Sequence, residues 1–257
     1  MITTQRTTIL TSQEQDLVPY NISNLPPSPF LIFSPHPDDE TFGMGGTIAL
    51  AGKQKIEVNV VIVTDGDAGG EATTRKKESC RAASILGIDD LVFLGFPDRQ
   101  IPISEKTTLL FSQLIEKFTP KTIFLPSPLE FHPDHRIVTH IATQAINKMD
   151  FKCKIWLYEV SRQGEANCFI NITNALEIKQ KAMDVYQSQL TQRAYKEYVL
   201  ALNRLRAYTL PQHIKYVEAF WAVKETTEEV FEHIKKYSIK RKNYITSLKR
   251  FLPFIKN

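Results

Sequence analysis

The chain has 257 residues, 42% hydrophobic and 23% charged, which suits one globular domain with a sizeable core, with or without a small appendage. No run of 18 apolar residues occurs, which excludes a transmembrane helix. The formal net charge is +4, but eight Lys and Arg with no acid lie between Lys235 and Asn257, so the rest is net negative and offers no nucleic-acid surface.

The polar N-terminus lacks the apolar stretch of a secretory signal. The three cysteines, Cys80, Cys153 and Cys168, are far apart and form no C-x-x-C pair. That usage points to a reducing, cytoplasmic compartment. Residues 1–29 read as an irregular lead-in closed by Pro26, Pro27 and Pro29. FLIFS (30–34) is an apolar run stopped by Pro35, as in a buried strand, and a helix follows to about Lys53. EVNVVIVTDG (57–66) predicts a second strand, and 71–86 a helix stopped by Gly87. LVFLG (91–95) predicts a third strand, 104–118 a helix, TIFLP (122–126) a fourth strand, and the next helix runs to about Lys148.

Fourfold strand–helix alternation predicts an α/β fold: a Rossmann-like, mostly parallel sheet with helices on both faces and right-handed crossovers. Beyond residue 150 the rhythm changes. Strands are expected at 154–160, 168–172 and 216–224, and helices at 174–190 and 194–208. This gives a smaller C-terminal α+β region. The organisation expected is one α/β domain over 30–224, with a metal-site core at 30–150 and a substrate-side region at 151–224. The basic tail, 225–257, has Ile245, Leu248 and Leu252 at helical spacing. It reads as a helix packed on the domain, with peripheral membrane contact as the rival reading.

Two clusters carry the chemistry. The first strand runs into Ser34-Pro35-His36-Pro37-Asp38-Asp39-Glu40 and the fourth into Glu130-Phe131-His132-Pro133-Asp134-His135. In a sheet of order 3-2-1-4-5 those strands are neighbours at the switch point, where sites in open α/β sheets form. A catalytic zinc takes three nitrogen or oxygen ligands and leaves one position for water. His36 and Asp39 can point one way at a helix entrance, and one histidine of the second cluster completes the set. Asp38, beside a ligand, is the natural acceptor for a proton from water. The remaining histidine, if protonated, can stabilise an oxyanion. Gly43-Met44-Gly45-Gly46 reads as close backbone packing, since it fits neither a dinucleotide fingerprint nor a P-loop. Asp65 and Asp67 read equally as crevice groups or as a turn. Trp156, Tyr158 and Trp221 read as core, and His140, His213 and His233 as structural or surface residues.

Pro35-His36-Pro37-Asp38-Asp39-Glu40 together with His132-Pro133-Asp134-His135 resembles the signature pair of the PIG-L/LmbE-like N-acetylglucosaminyl deacetylases. Thr64-Asp65-Gly66, Arg75-x-x-Glu78, Ala82-Ala83, Leu86-Gly87, Phe93-Leu94-Gly95 and Asp98 extend the resemblance over about 30–150. A looser pattern follows at Lys179, Ala182, Tyr186, Ser188-Gln189 and Glu218-Ala219-Phe220. The resemblance implies a hydrolase that removes an acetyl group from an N-acetylglucosamine-type conjugate. It implies one Zn2+ per chain on His36, Asp39 and His135, with Fe2+ as the alternative metal. It implies Asp38 as general base and then acid, His132 at the oxyanion, Asp134 tuning a histidine, and Arg75 and Asp98 on the sugar. The partner expected is a small-molecule, glycolipid or glycoconjugate substrate, with a homo-oligomer left open. The rival readings are a metal- or carbohydrate-binding module and a metal-dependent hydrolase of another amide or ester.

Overall fold

The computed structural model describes residues 18–224 together with Glu14 and Val230. Seven strands, β1 (Phe30–Ser34), β2 (Val58–Thr64), β3 (Asp90–Phe96), β4 (Thr122–Pro126), β5 (Lys154–Tyr158), β6 (Cys168–Asn171) and β7 (Val217–Ala222), form one sheet. Its order is β3-β2-β1-β4-β5-β7-β6. The first five strands pair parallel, while β7 runs antiparallel to both β5 and β6. The order 3-2-1-4-5 expected from the alternation is therefore present. The strands after residue 150 extend the same sheet.

Within residues 18–224, seven α-helices accompany it: α1 (Asp39–Lys53), α2 (Ala72–Leu86), α3 (Glu105–Phe118), α4 (Pro133–Met149), α5 (Leu176–Met183), α6 (Gln187–Leu190) and α7 (Tyr195–Arg206). Side chains alternate across a strand, so a strand covered on both faces must be apolar throughout. All five residues of β1 are buried. Phe30 and Ile32 pack with Phe42, Ile48 and Ala82 from α1 and α2. Leu31 and Phe33 pack with Phe111 and Ile115 of α3 and Ile141 of α4. The helices thus change faces between β1 and β4, which opens a crevice beyond the carboxyl ends of those two strands.

The expected helix over 174–190 is broken. It splits into α5 and α6 around 184–186. The break turns Tyr186 into the core, where its hydroxyl donates to Glu40 Oε1 at 3.0 Å. The expected 57–66 strand is trimmed at both ends, to Val58–Thr64. Gly43 and Gly46 act as the close-packing reading requires. A Cβ at Gly43 would lie 2.7 Å from the Tyr158 ring, and one at Gly46 2.7 Å from Ile172. The C-terminal tail lies outside the described residues.

Helix α1 is interrupted at Met44, whose backbone is non-helical (φ −141°, ψ 22°). The second half therefore begins inside the protein with free N–H groups. Glu218 of β7 satisfies them: Oε1 accepts from Gly46 N at 2.8 Å and Oε2 from Thr47 N at 2.7 Å. Lys179 of α5 neutralises that carboxylate at 2.6 Å and also donates to Asn203 of α7 at 3.0 Å. Both side chains are fully buried. Removing one partner of such a pair leaves an uncompensated buried charge. Glu218→Ala should therefore cost about 3–5 kcal/mol of unfolding free energy, measured by urea denaturation. A loss under about 1 kcal/mol, the size of an exposed pair, would contradict this account.

Candidate active site

The loop 35–38 carries His36 and Asp38 from the end of β1 into α1. Asp39 then turns back: its Oδ2 accepts from His36 N at 2.9 Å and lies 2.9 Å from His36 Nδ1. His135, on the first turn of α4, brings Nε2 to 3.1 Å from the same oxygen. Asp39 Oδ2 thus stands between one nitrogen of His36 and one of His135, residues from two distant segments. Ligand atoms about 2.0–2.1 Å from a tetrahedral zinc stand roughly 3.3 Å from each other. The two measured spacings approach that figure.

The far side of His36 supports the same assignment. Its Nε2 lies 3.3 Å from Asp134 Oδ2 and 3.4 Å from Asp98 Oδ1. A metal-bound imidazole ordinarily donates its second N–H to a carboxylate. With Nε2 held by carboxylates, Nδ1 is the nitrogen left for an ion. Among the described residues two sets of side chains can hold a metal, His36–His132–His135 and His36–Asp98–His132–Asp134; His36 and His132 belong to both and Asp39 to neither. Asp134 Oδ1 and His135 Nδ1 are buried without a hydrogen-bond partner. Such orphaned polar atoms mark a place built for a group beyond the chain itself.

Charges follow this geometry. Burial works against ionised His36, yet the carboxylates of Asp39, Asp134 and Asp98 outweigh it and hold His36 well above the ordinary histidine range. Burial likewise opposes ionised Asp39, but His135 and His36 hold it well below the usual carboxylate range. The hydrogen bond to His36 keeps Asp98 down at about 2, against its burial. His132 behaves differently: burial and the nearby His36 push it down to about 4. Its Nδ1 accepts from Asp134 N at 3.3 Å, so the neutral ring carries its proton on Nε2. These surroundings favour the neutral form of His132. Burial pushes Asp38 up to about 7, with Arg75 opposing and Asp39 reinforcing the rise. A base poised near neutrality suits proton transfer.

All eight residues singled out in the sequence meet here. His36, Asp38, Asp39, Arg75, Asp98, His132 and His135 line one cavity of about 600 Å3. Asp134 lies fully buried behind it. The carboxylate of Asp98 faces His36 and, at 3.6 Å, His132 Nε2. The guanidinium of Arg75 is tied to Asp38, with Nη2 2.9 Å from Oδ2. Supporting residues had gone unassigned. Asp67 braces the Asp98 loop by accepting from Asp98 N at 2.9 Å, which resolves half of the Asp65/Asp67 alternative. Glu40, buried beneath α1, accepts from Ser34 Oγ at 2.9 Å and from Tyr186. Glu130 accepts from Val160 N at 2.8 Å and Ser161 N at 3.2 Å, which fixes the far rim. Tyr195 and Tyr198 of α7 complete the cavity wall. Aromatics at helical spacing read as core, so nothing in the sequence separated them from it.

A doubly wound α/β sheet with a histidine–aspartate cluster at its switch point, beside one carboxylate bound to no histidine, has the architecture of a metal-assisted hydrolase. The comparisons with known proteins make this specific. Residues 31–146 match the PIG-L family, described as GlcNAc-PI de-N-acetylase, so the chain carries a PIG-L family domain and the resemblance of its motifs is borne out. It is 28% identical over 203 residues to the diacetylchitobiose deacetylase of Thermococcus kodakarensis, across 69% of this chain and 76% of that protein. It is 27% identical over 216 residues to the probable N-acetyl-alpha-D-glucosaminyl L-malate deacetylase 2 of Bacillus cereus, across 76% and 97%. Among solved structures, N,N'-diacetylchitobiose deacetylase from Pyrococcus horikoshii superposes with a TM-score of 0.67 at 26% identity, over 76% of this chain and 83% of that one.

Ligands must be deprotonated to bind a metal, so binding releases protons. The carboxylates around His36 favour its protonated form. Zinc uptake at pH 7 should therefore release about one proton per ion, and affinity should rise with pH. Calorimetry in two buffers of different ionisation enthalpy measures the release. Uptake without a released proton would contradict the charge state described here.

Proposed function

We propose that the protein is a zinc-dependent hydrolase that removes the acetyl group from the amino nitrogen of an N-acetylglucosamine-type conjugate. The observation that carries this reading is Asp38. It stands beside a metal-capable cluster, contacts no histidine within hydrogen-bonding distance, and opens onto the cavity. Its relatives' names describe deacetylation of GlcNAc-type compounds.

His36, Asp39 and His135 would hold the ion, which when bound supplies Lewis-acid activation of the amide carbonyl and of a water molecule. A site of two nitrogens and one carboxylate suits zinc; iron(II) is the alternative. Asp38 takes the proton from the attacking water as the C–O bond forms. The neutral Nε2–H of His132 donates to the carbonyl oxygen as it gains charge. Asp134 holds the second nitrogen of His36. Asp38 then gives its proton to the departing nitrogen, the C–N bond breaks, and acetate and a free amino sugar result. A binding module needs no poised carboxylate outside the ligand set, and that difference favours catalysis over binding.

Acetate release from a panel of N-acetylglucosamine conjugates tests the reaction. Release should cease with chelator and return with added zinc, whereas release indifferent to chelator would overturn the reading. Asp38→Asn should keep its zinc and lose about 10²–10⁴-fold in kcat, the usual worth of a positioned base. An unchanged kcat would remove Asp38 from that role.

A further inference from the structure

Asp38 is the N-cap residue of α1: its carbonyl accepts from Thr41 N and Phe42 N, each at 2.9 Å. An aspartate there ordinarily adopts an extended backbone and turns its carboxylate onto the N–H groups of the first turn. Asp38 does neither. Its φ is 140° and ψ −28°, and its side chain makes no cap bond. Residues with a Cβ avoid that backbone, and such strain persists only where the surroundings impose it. The carboxylate instead meets Arg75 Nη2 at 2.9 Å.

The Arg75 guanidinium is 4% exposed and grips two further points of the same corner. Nη2 also donates to the Pro37 carbonyl, the peptide just before Asp38, at 2.9 Å, and Nη1 donates to Gly66 O at 2.7 Å. The chain clears room for this. Gly66 has φ 63°, and a Cβ there would collide with the guanidinium; a Cβ at Gly69 would lie 2.7 Å from Nη1. Both hydrogens of Nη2 and one of Nη1 are committed to the protein, which leaves few for a sugar. A planar fork can serve three acceptors at fixed angles, and an ammonium cannot reproduce that geometry.

We propose that Arg75 is a positioning residue: it holds Asp38 out of the ordinary capping conformation and keeps its carboxylate aimed into the cavity. Without the fork, Asp38 falls back to cap its own helix and withdraws from the substrate. This inference rests on Asp38 being the base.

Kinetics of Arg75→Gln, Asp38→Asn and the double variant test it, with zinc content measured on each. Arg75→Gln should keep zinc, hold KM within about threefold and lose about 100-fold in kcat. The double variant should be no slower than Asp38→Asn alone, because both changes remove one function. Arg75→Lys keeps the charge without the fork and should be nearly as slow, which also serves if the glutamine variant does not fold. A crystal structure of either variant should show Asp38 at negative φ with its carboxylate on the first turn of α1. A raised KM with kcat kept, losses that multiply in the double variant, or Asp38 unmoved would overturn the proposal and leave Arg75 as a sugar contact. If Asp38→Asn alone keeps its rate, the base assignment itself fails, independently of Arg75.

Discussion

Carboxylates crowded into one crevice are the constraint on which the structure depends. Asp39, Glu40, Asp98 and Asp134 are all buried at the end of β1 and β4, and Asp38 stands among them. Ions taken from water must be paired or hydrogen-bonded, because solvation lost on burial is recovered only through close partners. Each carboxylate has its own solution. Asp39 meets two histidines, Asp98 and Asp134 share His36, Glu40 takes hydroxyls, and Asp38 takes Arg75. These partners come from the end of β1 and the loop after it, α2, α4 and the segment between α5 and α6. The fold is therefore organised around one charge cluster, and a bound cation fits its logic.

The same principle works a second time, away from the chemistry. Breaking α1 at Met44 exposes N–H groups that Glu218 accepts, and Lys179 cancels the resulting charge. The break lets the first half of the helix present Asp39 while the second half packs on α5 and α7. An apolar core alone would hold these helices less specifically. Strained backbone at Asp38 and an interrupted helix six residues later belong to one design, in which helix regularity yields to the placement of the site.

Much of this was legible in the sequence. Strands β1 to β4 are short apolar runs bounded by proline, glycine or charged residues, and their alternation with helices implied a parallel sheet with helices on both faces. The two His/Asp motifs fell at the ends of neighbouring strands, so their convergence followed from topology. What stayed hidden depends on direction. A residue pattern cannot tell that Asp38 forgoes its cap bond, that His36 offers Nδ1 to one side and Nε2 to the other, or that Arg75 faces inward from a run containing Lys76 and Lys77. The split of 174–190 was equally invisible, since Tyr186 leaves the helix to satisfy a carboxylate far away in sequence.

The central proposal is that one ion is held by His36 Nδ1, Asp39 Oδ2 and His135 Nε2, with Asp38 beside it. The direct measurement is anomalous diffraction at the zinc absorption edge from zinc-loaded crystals. The account predicts a single peak within bonding distance of those three atoms and outside the reach of Asp38. A peak on the other side of His36, among Nε2, Asp98, His132 and Asp134, would contradict it.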